Sequence, residues 1–244
     1  MKCLILAAGY ATRLYPLTKN FPKPLLEVGG KTILDWAIED IGEAAEAFFV
    51  VTNHRFAGIF EAWARGREEY IRVLDDGTES NETRLGAVKD IQFAIDALGL
   101  DDDLMVIAGD NLLDFSLQGF IRYQREKGTT TVMRYREESE EKLRKTGVAV
   151  VDAEGRILEM EEKPAQPKSH WCTPPFYIYR KEDLPLVKAG IEAGCGTDAP
   201  GSFIAWLSGV TAVYAWEMPG KRYDIGNLES YEAVKKSYRG IINK

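Results

Sequence analysis

Residues 4–26 read LILAAGYATRLYPLTKNFPKPLL. Leu4, Ile5 and Leu6 form a short apolar run of the kind that becomes a buried strand. Ala7, Ala8 and Gly9 let the backbone turn sharply behind it, so that N–H groups can face an anion without side chains in the way. Arg13 adds a permanent planar charge matched to phosphate oxygens. Lys23 adds a compact one, on a loop stiffened by Pro22 and Pro24. Taken singly, these features fit a plain βα turn, a solvated arginine and an ordinary loop lysine equally well. Strand, small turn, Arg and rigid-loop Lys in one segment meet the needs of a triphosphate site.

Outward from this segment, apolar runs alternate with helical patterns. Lys2–Ala7 reads as a strand, and Lys31–Ala44 as a helix with Ile33, Leu34, Ala37, Ile38 and Ile41 on one face. Ala47–Thr52 is strand-like, Ala57–Ala64 helical and Tyr70–Leu74 strand-like. Leu85–Leu98 is helical, and Leu104–Ala108 is another buried-strand candidate. Four successive βα units predict a Rossmann-like α/β fold, a mostly parallel mixed sheet with helices on both faces. Ligands in such sheets bind beyond the carboxyl ends of the strands. That places the Gly9 turn, the loop after Leu74 and Gly109-Asp110 along one edge. The second half is richer in strands: Thr129–Tyr135, Val148–Val151, Arg156–Glu161, Phe176–Tyr179 and Val210–Trp216. Its helices are expected at Lys181–Ala193, Phe203–Ser208 and Leu228–Ser237. Arg136–Arg144 reads as a solvated helix or excursion, and Gly194–Gly201 as a turn-rich loop.

The chain of 244 residues is long enough for one sizeable core, and no linker or repeat divides it, so a single domain over 1–244 is expected. A hydrophobic share of 45% and a charged share of 28% are those of a globular enzyme. The net charge of −7 argues against nucleic-acid and anionic-membrane partners. Cys3, Cys172 and Cys195 have no metal-ligand spacing and read as reduced, buried thiols. No signal-peptide pattern and no apolar run of about 18 residues is present, so a cytoplasmic location is expected.

The opening segment resembles the signature of the sugar-1-phosphate nucleotidylyltransferases, L-A-A-G-x-G-T-R-L-x-P-x-T-x-x-x-P-K-P-L-L, in the style of the glucose-1-phosphate thymidylyltransferases. The resemblance runs from Met1 to about Ser237. It implies a nucleotide-diphospho-sugar transferase fold, with an NTP-binding half over 1–128 and a sugar-phosphate-binding half over 129–244. It also implies the reaction NTP + sugar 1-phosphate → NDP-sugar + pyrophosphate. Leu6, Ala7, Ala8, Gly9, Thr12, Arg13 and Lys23 are then nucleotide-binding. One departure is Ala11, where the family has the second glycine of its turn. Either that backbone position is ordinary here, or the loop sits differently over the phosphates.

Gly109-Asp110-Asn111 follows a strand and by itself fits a turn cap as well as a metal ligand. Asp224, in Tyr223-Asp224-Ile225-Gly226, by itself fits a turn or a helix start. The resemblance matches both to family motifs, G-D-N and a late D-x-G, whose aspartates hold Mg2+ and, for Asp110, the nucleotide. Arg13, Lys23, Asp110 and Asp224 are on this basis the catalytic set. Glu161-Glu162-Lys163-Pro164 by itself is a charged corner ended by a proline. It matches the family's E-E-K-P, which implies that Glu162 bonds sugar hydroxyls and Lys163 the sugar phosphate. Asn111, Gly147, Thr173 and Tyr177 complete the implied acceptor set. Trp171 fits either a sugar-stacking or a packing role. The base pocket matches least: Thr83, Arg84 and Gly86 stand where a base-reading glutamine and a glycine-rich turn are expected, and Asn81 or Arg84 fits reading a base edge as well as facing solvent. Pro174-Pro175 likewise replaces a small residue and a glycine.

Neither His54 nor His170 is a credible base, and nothing supplies a Ser/His/Asp arrangement. That fits direct attack by the substrate phosphate. Two alternatives share the sequence features: the same chemistry on a non-sugar acceptor such as phosphocholine or a phosphonate, or a non-catalytic nucleotide sensor. The NTP base, the sugar and the oligomeric state stay open.

Overall fold

The computed structural model describes residues 1–67 and 69–242. Contacts group the chain into two compact units that interleave along the sequence. One contains Met1–Arg84, Ala108–Gly119 and the stretch from Pro219; the other contains Leu85–Ile107 and Phe120–Met218. The helix and strand between Leu85 and Ile107, expected with the first half, therefore cluster with the second.

In the first unit, strands Lys2–Leu6, Phe48–Thr52 and Ile71–Asp75 pair in parallel, with Ile5 opposite Val50 and Val50 opposite Val73. Cys3, Leu4, Ile5, Val50 and Val51 are fully buried, which is why the first two strands read as apolar runs rather than alternating ones, whereas the edge strand Ile71–Asp75 exposes Arg72 and Asp75. Helix Ile33–Ile41 is shorter than expected from periodicity. Thr32 caps it by accepting from the Asp35 N–H, and a 3-10 turn takes over at Gly42. Helix His54–Ala64 begins earlier than its apolar face suggests, because the Asn53 side chain accepts from the Phe56 N–H and fixes its start. The closing helix Leu228–Ser237 has the expected bounds and is capped by Asn227. Its Tyr231, Val234 and Tyr238 join Leu14, Leu26, Ile33, Leu112 and Ile225 in one core cluster.

A two-strand pairing escaped the sequence reading. Asn111–Leu113 runs antiparallel to Arg222–Asp224, with Asn111 opposite Asp224. Three-residue strands carry too little pattern to be recognised alone, and their partners lie about half the chain apart.

The second unit is mainly antiparallel. Phe176–Tyr179 pairs antiparallel with Leu104–Ile107 on one side and with Thr130–Arg136 on the other. Val213–Glu217 runs parallel to Thr130–Arg136 and begins three residues later than expected, because Val210 and Thr211 finish the turn after helix Gly201–Leu207. Trp171–Thr173, Gly147–Val151 and Ile157–Glu162 complete the strand set. The parallel pairs and crossover helices expected from the βα pattern are thus concentrated in the first unit, and the sheet is mixed. Arg136–Arg144 contains the short exposed helix Glu140–Leu143. Cys3 and Cys172 are buried free thiols as expected, whereas Cys195 is partly exposed because it sits in the Gly194–Gly196 turn. Among the described residues no helix is long and apolar enough to cross a membrane.

Candidate functional site

The first unit carries a cavity of about 230 Å³ lined by the Leu6–Gly9 turn, Ala11, Arg13, Lys23, Asp110 and Asp224. The turn is pinned at two points. The Ala7 N–H donates to the Val51 carbonyl at 2.8 Å, and Asn53 Nδ2 donates to the Ala8 carbonyl at 2.9 Å. Asn53 is fully buried and also caps the following helix, so one side chain locks the turn to its neighbouring βα unit. Its sequence signal was an Asn directly after a strand, a cap pattern.

Ala11 resolves the question its sequence raised. It lies in the left-handed region, at φ 45° and ψ 43°. The glycine-like backbone is kept without glycine, at a cost of roughly 1–2 kcal/mol for an L-residue. Its methyl packs against the core cluster of Leu14 and Ile225, which offsets part of that cost. Thr18, itself buried, donates to the Ala11 carbonyl at 2.8 Å and holds the loop from below. Arg13 is exposed and, among the described residues, makes no ion pair, so its guanidinium faces the cavity uncompensated.

Lys23 is buried in a 3-10 turn between its two prolines, only 6% exposed. Its Nζ lies 2.7 Å from Asp110 Oδ2. Asp110 is brought there by the Gly109 N–H, which donates to the Leu6 carbonyl at 3.0 Å. Gly109 fits this crossing closely, because a Cβ would come within 3.0 Å of Ile5 Cγ2 and 3.1 Å of Leu34 Cδ2 and press both side chains aside. Asp110 Oδ1 accepts from Asn111 Nδ2 at 2.8 Å, and Asn111 Oδ1 accepts from Arg222 at 2.6 Å. Asn111 is therefore committed to orienting Asp110. The strand pairing sets Asp224 opposite Asn111, and its exposed carboxylate lines the same cavity. No three His, Cys, Asp or Glu groups cluster as a protein cage among the described residues. Two oxygen-donor carboxylates on one open cavity are nonetheless a fit for Mg2+, which keeps waters and phosphate oxygens in its octahedron.

Asn81 and Thr83 are tied into a local exposed turn. Thr83 Oγ1 bonds Ser80, and Asn81 Oδ1 accepts from Arg84 at 2.8 Å; neither lines the cavity. In the second unit, Gly86 has φ +90°, and a Cβ there would press to 2.5 Å from the Thr197 carbonyl. The reason is packing: the N–H groups of Ala87 and Val88 already donate to the carbonyls of Asp198 and Thr197.

Glu162, Gly147 and Thr173 are brought side by side by strand register, with Glu162 and Thr173 both opposite Gly147. The Glu162 carboxyl is held above the usual carboxylate range, first by burial and then by Asp198, with Lys163 opposing. No described residue donates a hydrogen bond to it. Lys163 adopts a left-handed backbone, φ 50°, and its Nζ stands 3.9 Å from Asp198 Oδ2. Thr173 is buried, and Tyr177 lies in the core with its ring stacked on Tyr179 at 6.0 Å. Trp171 is partly buried and carries the Arg134 guanidinium over its ring at 4.2 Å.

A family model described as nucleotidyl transferase matches residues 2–240. The chain belongs to the nucleotidyl transferase family. Within that family it groups with the sugar-1-phosphate nucleotidylyltransferases. It is 26% identical, over its whole length, to a UTP–glucose-1-phosphate uridylyltransferase of Synechocystis, of which it covers 64%. It is 25% identical over 93% of its length to a glucose-1-phosphate adenylyltransferase of Fervidobacterium nodosum, of which it covers 59%. The chain thus spans about three fifths of the length of these curated relatives. A UDP-glucose pyrophosphorylase complexed with UDP-glucose shares its fold, with TM-score 0.81 and 97% of both chains covered at 21% identity. The nucleotide-diphospho-sugar transferase fold implied by the resemblance is thereby borne out.

Proposed function

We propose that this nucleotidyl transferase, acting as a single catalytic domain, converts an NTP and a sugar 1-phosphate into an NDP-sugar and pyrophosphate. The observation that carries the reading is the contact of buried Lys23 with Asp110 on a cavity shared with Arg13 and Asp224. The four charges sum to zero, so they cannot by themselves balance a triphosphate. Mg2+, held by Asp110 and Asp224, would supply the missing charge and polarise the phosphate oxygens.

The Leu6–Gly9 turn offers backbone room for the phosphates, with Thr12 beside it. The acceptor's phosphate oxygen attacks the α-phosphorus in line: one P–O bond forms, and the bond to pyrophosphate breaks with its electron pair on the leaving oxygen. Lys23 stabilises charge building at the α-phosphoryl group. Arg13 stabilises the departing pyrophosphate. Neither group needs to reorganise, which is where preorganised charges act most strongly. Asn111 and Arg222 keep the Asp110 carboxylate aimed. Glu162 takes sugar hydroxyl donors, and Lys163 takes the acceptor phosphate in place of Asp198.

The curated relatives include uridylyl and adenylyl transferases, so the base is assigned by experiment. Pyrophosphate release is measured for four NTPs crossed with a panel of sugar 1-phosphates and phosphocholine, with Mg2+ and with EDTA. Release with a sugar 1-phosphate, abolished by EDTA, is expected. Release with phosphocholine alone would replace the sugar reading, and none with any pair would point to a sensor.

A further inference from the structure

Gly201 reads from the sequence as the end of a turn-rich loop, yet it begins helix Gly201–Leu207 against the Glu162 carboxylate. A Cβ built on Gly201 would overlap Glu162 Oε2 and come within 3.5 Å of Met160 Cε. Across the sheet, a Cβ on Gly147 would stand 2.8 Å from Met160 Cε and 3.1 Å from the same Glu162 Oε2. The carboxylate is therefore seated in a slot between two glycines, one on a strand and one on a helix. Gly201 has no positive φ, so its backbone does not require glycine; only the close approach does.

We propose that Gly201 is a positioning residue for the acceptor: by lacking a side chain it lets Glu162 sit in the one rotamer that presents its carboxylate to the acceptor's hydroxyls. The segment from Thr197 to Gly201 does this as a unit. Its Thr197 and Asp198 carbonyls are anchored by the Val88 and Ala87 N–H groups, and its Asp198 carboxylate faces Lys163. The slot supplies shape, and no described residue donates a hydrogen bond to the carboxylate, so its acceptor capacity is not taken up by the protein.

The inference rests on reading Glu162 as an acceptor residue, and the test separates the two. The assay is pyrophosphate release with the best NTP and sugar 1-phosphate of the panel, on Gly201→Ala, Glu162→Ala and the double variant. Gly201→Ala is expected to raise the acceptor KM at least ten-fold and leave the NTP KM within two-fold. In the Glu162→Ala background the same substitution is expected to change the acceptor KM less than two-fold, because the carboxylate it displaces is gone. Equal effects in both backgrounds, or none in either, overturn the role of Gly201. An unchanged acceptor KM in Glu162→Ala alone overturns the acceptor reading instead. If Gly201→Ala fails to fold, melting of the double variant decides: restored folding supports the slot, and continued failure overturns it.

Discussion

The two charged, proline-flanked corners to which the proposed chemistry is assigned are built in opposite ways. At Lys23 the cation is buried and its partner Asp110 is half exposed, with 2.7 Å between them. At Glu162-Lys163 the carboxylate is the buried member, while Lys163 is exposed and 3.9 Å from Asp198. The first corner is held by hydrogen bonds and an ion pair, through Asn111, Arg222 and Gly109. The second is held by shape, through Gly147, Gly201 and Met160. A site that stabilises developing phosphoryl charge needs a fixed cation. A site that reads hydroxyls needs an acceptor left without protein donors.

The sharpest way to break the comparison is at the first corner. Lys23→Ala is expected to lower kcat by roughly 10²–10³, about 3–4 kcal/mol, as for loss of an oxyanion donor. Steady-state kinetics at saturating Mg2+ check this, and activity within a few-fold of the unsubstituted chain would remove Lys23 from the transition state. At the second corner, Gly147→Ala forces Thr173 Oγ1 and Met160 aside and is expected to destabilise by about 1–3 kcal/mol, read from urea unfolding. At Gly109, in the Lys23 corner, a Cβ would meet Ile5 and Leu34 at 3.0–3.1 Å, a milder crowding than at Gly147, so Gly109→Ala is expected to cost less.

A smaller effect distinguishes them by pH. The Glu162 carboxyl is raised above its ordinary value, so the folded state favours the protonated form. Its contribution to stability is present at pH below the unfolded value near 4.3 and lost as pH rises through the folded pKa. Glu162→Gln should flatten that fall in a series of unfolding curves between pH 4 and 8; an unchanged slope would mean that burial does not perturb the group. The smallest effect is expected at Ala11. Glycine there relieves roughly 1–2 kcal/mol of left-handed strain but loses a packed methyl worth about 0.8 kcal/mol and adds unfolded-state entropy. Ala11→Gly should therefore shift stability by less than about 1 kcal/mol, a balance that thermal unfolding can measure.

Much of the first corner was legible in the chain because its parts are local. A strand, a turn of small residues and a lysine between prolines lie within 4–26, and each leaves its own pattern. Strands Lys2–Leu6 and Phe48–Thr52 were legible because burial makes them nearly continuous apolar runs. Asn53 left only a cap pattern, and its second bond, to Ala8, crosses 45 residues. The second corner was legible only by resemblance, since Glu-Glu-Lys-Pro alone is an ordinary surface corner. Tyr177 illustrates the limit: the residue type was read, but its position in the core comes from strand pairing on both sides.

The amino-acid sequence by itself determined the βα units, the small-residue turn with Arg13 and Lys23 near it, and the positions of the two aspartates that resemblance ties to a metal. Local propensity and burial act over a few residues, and those features need no more. Only the tertiary structure decided that Asn111 serves Asp110, that Ala11 keeps a glycine's backbone, and that Gly201 makes room for Glu162. The Arg222–Asn111 bond, the packing of Ala11 on the Ile225 cluster and the approach of Gly201 to Glu162 join segments far apart in the chain, and such distances are set by packing, which no local pattern encodes.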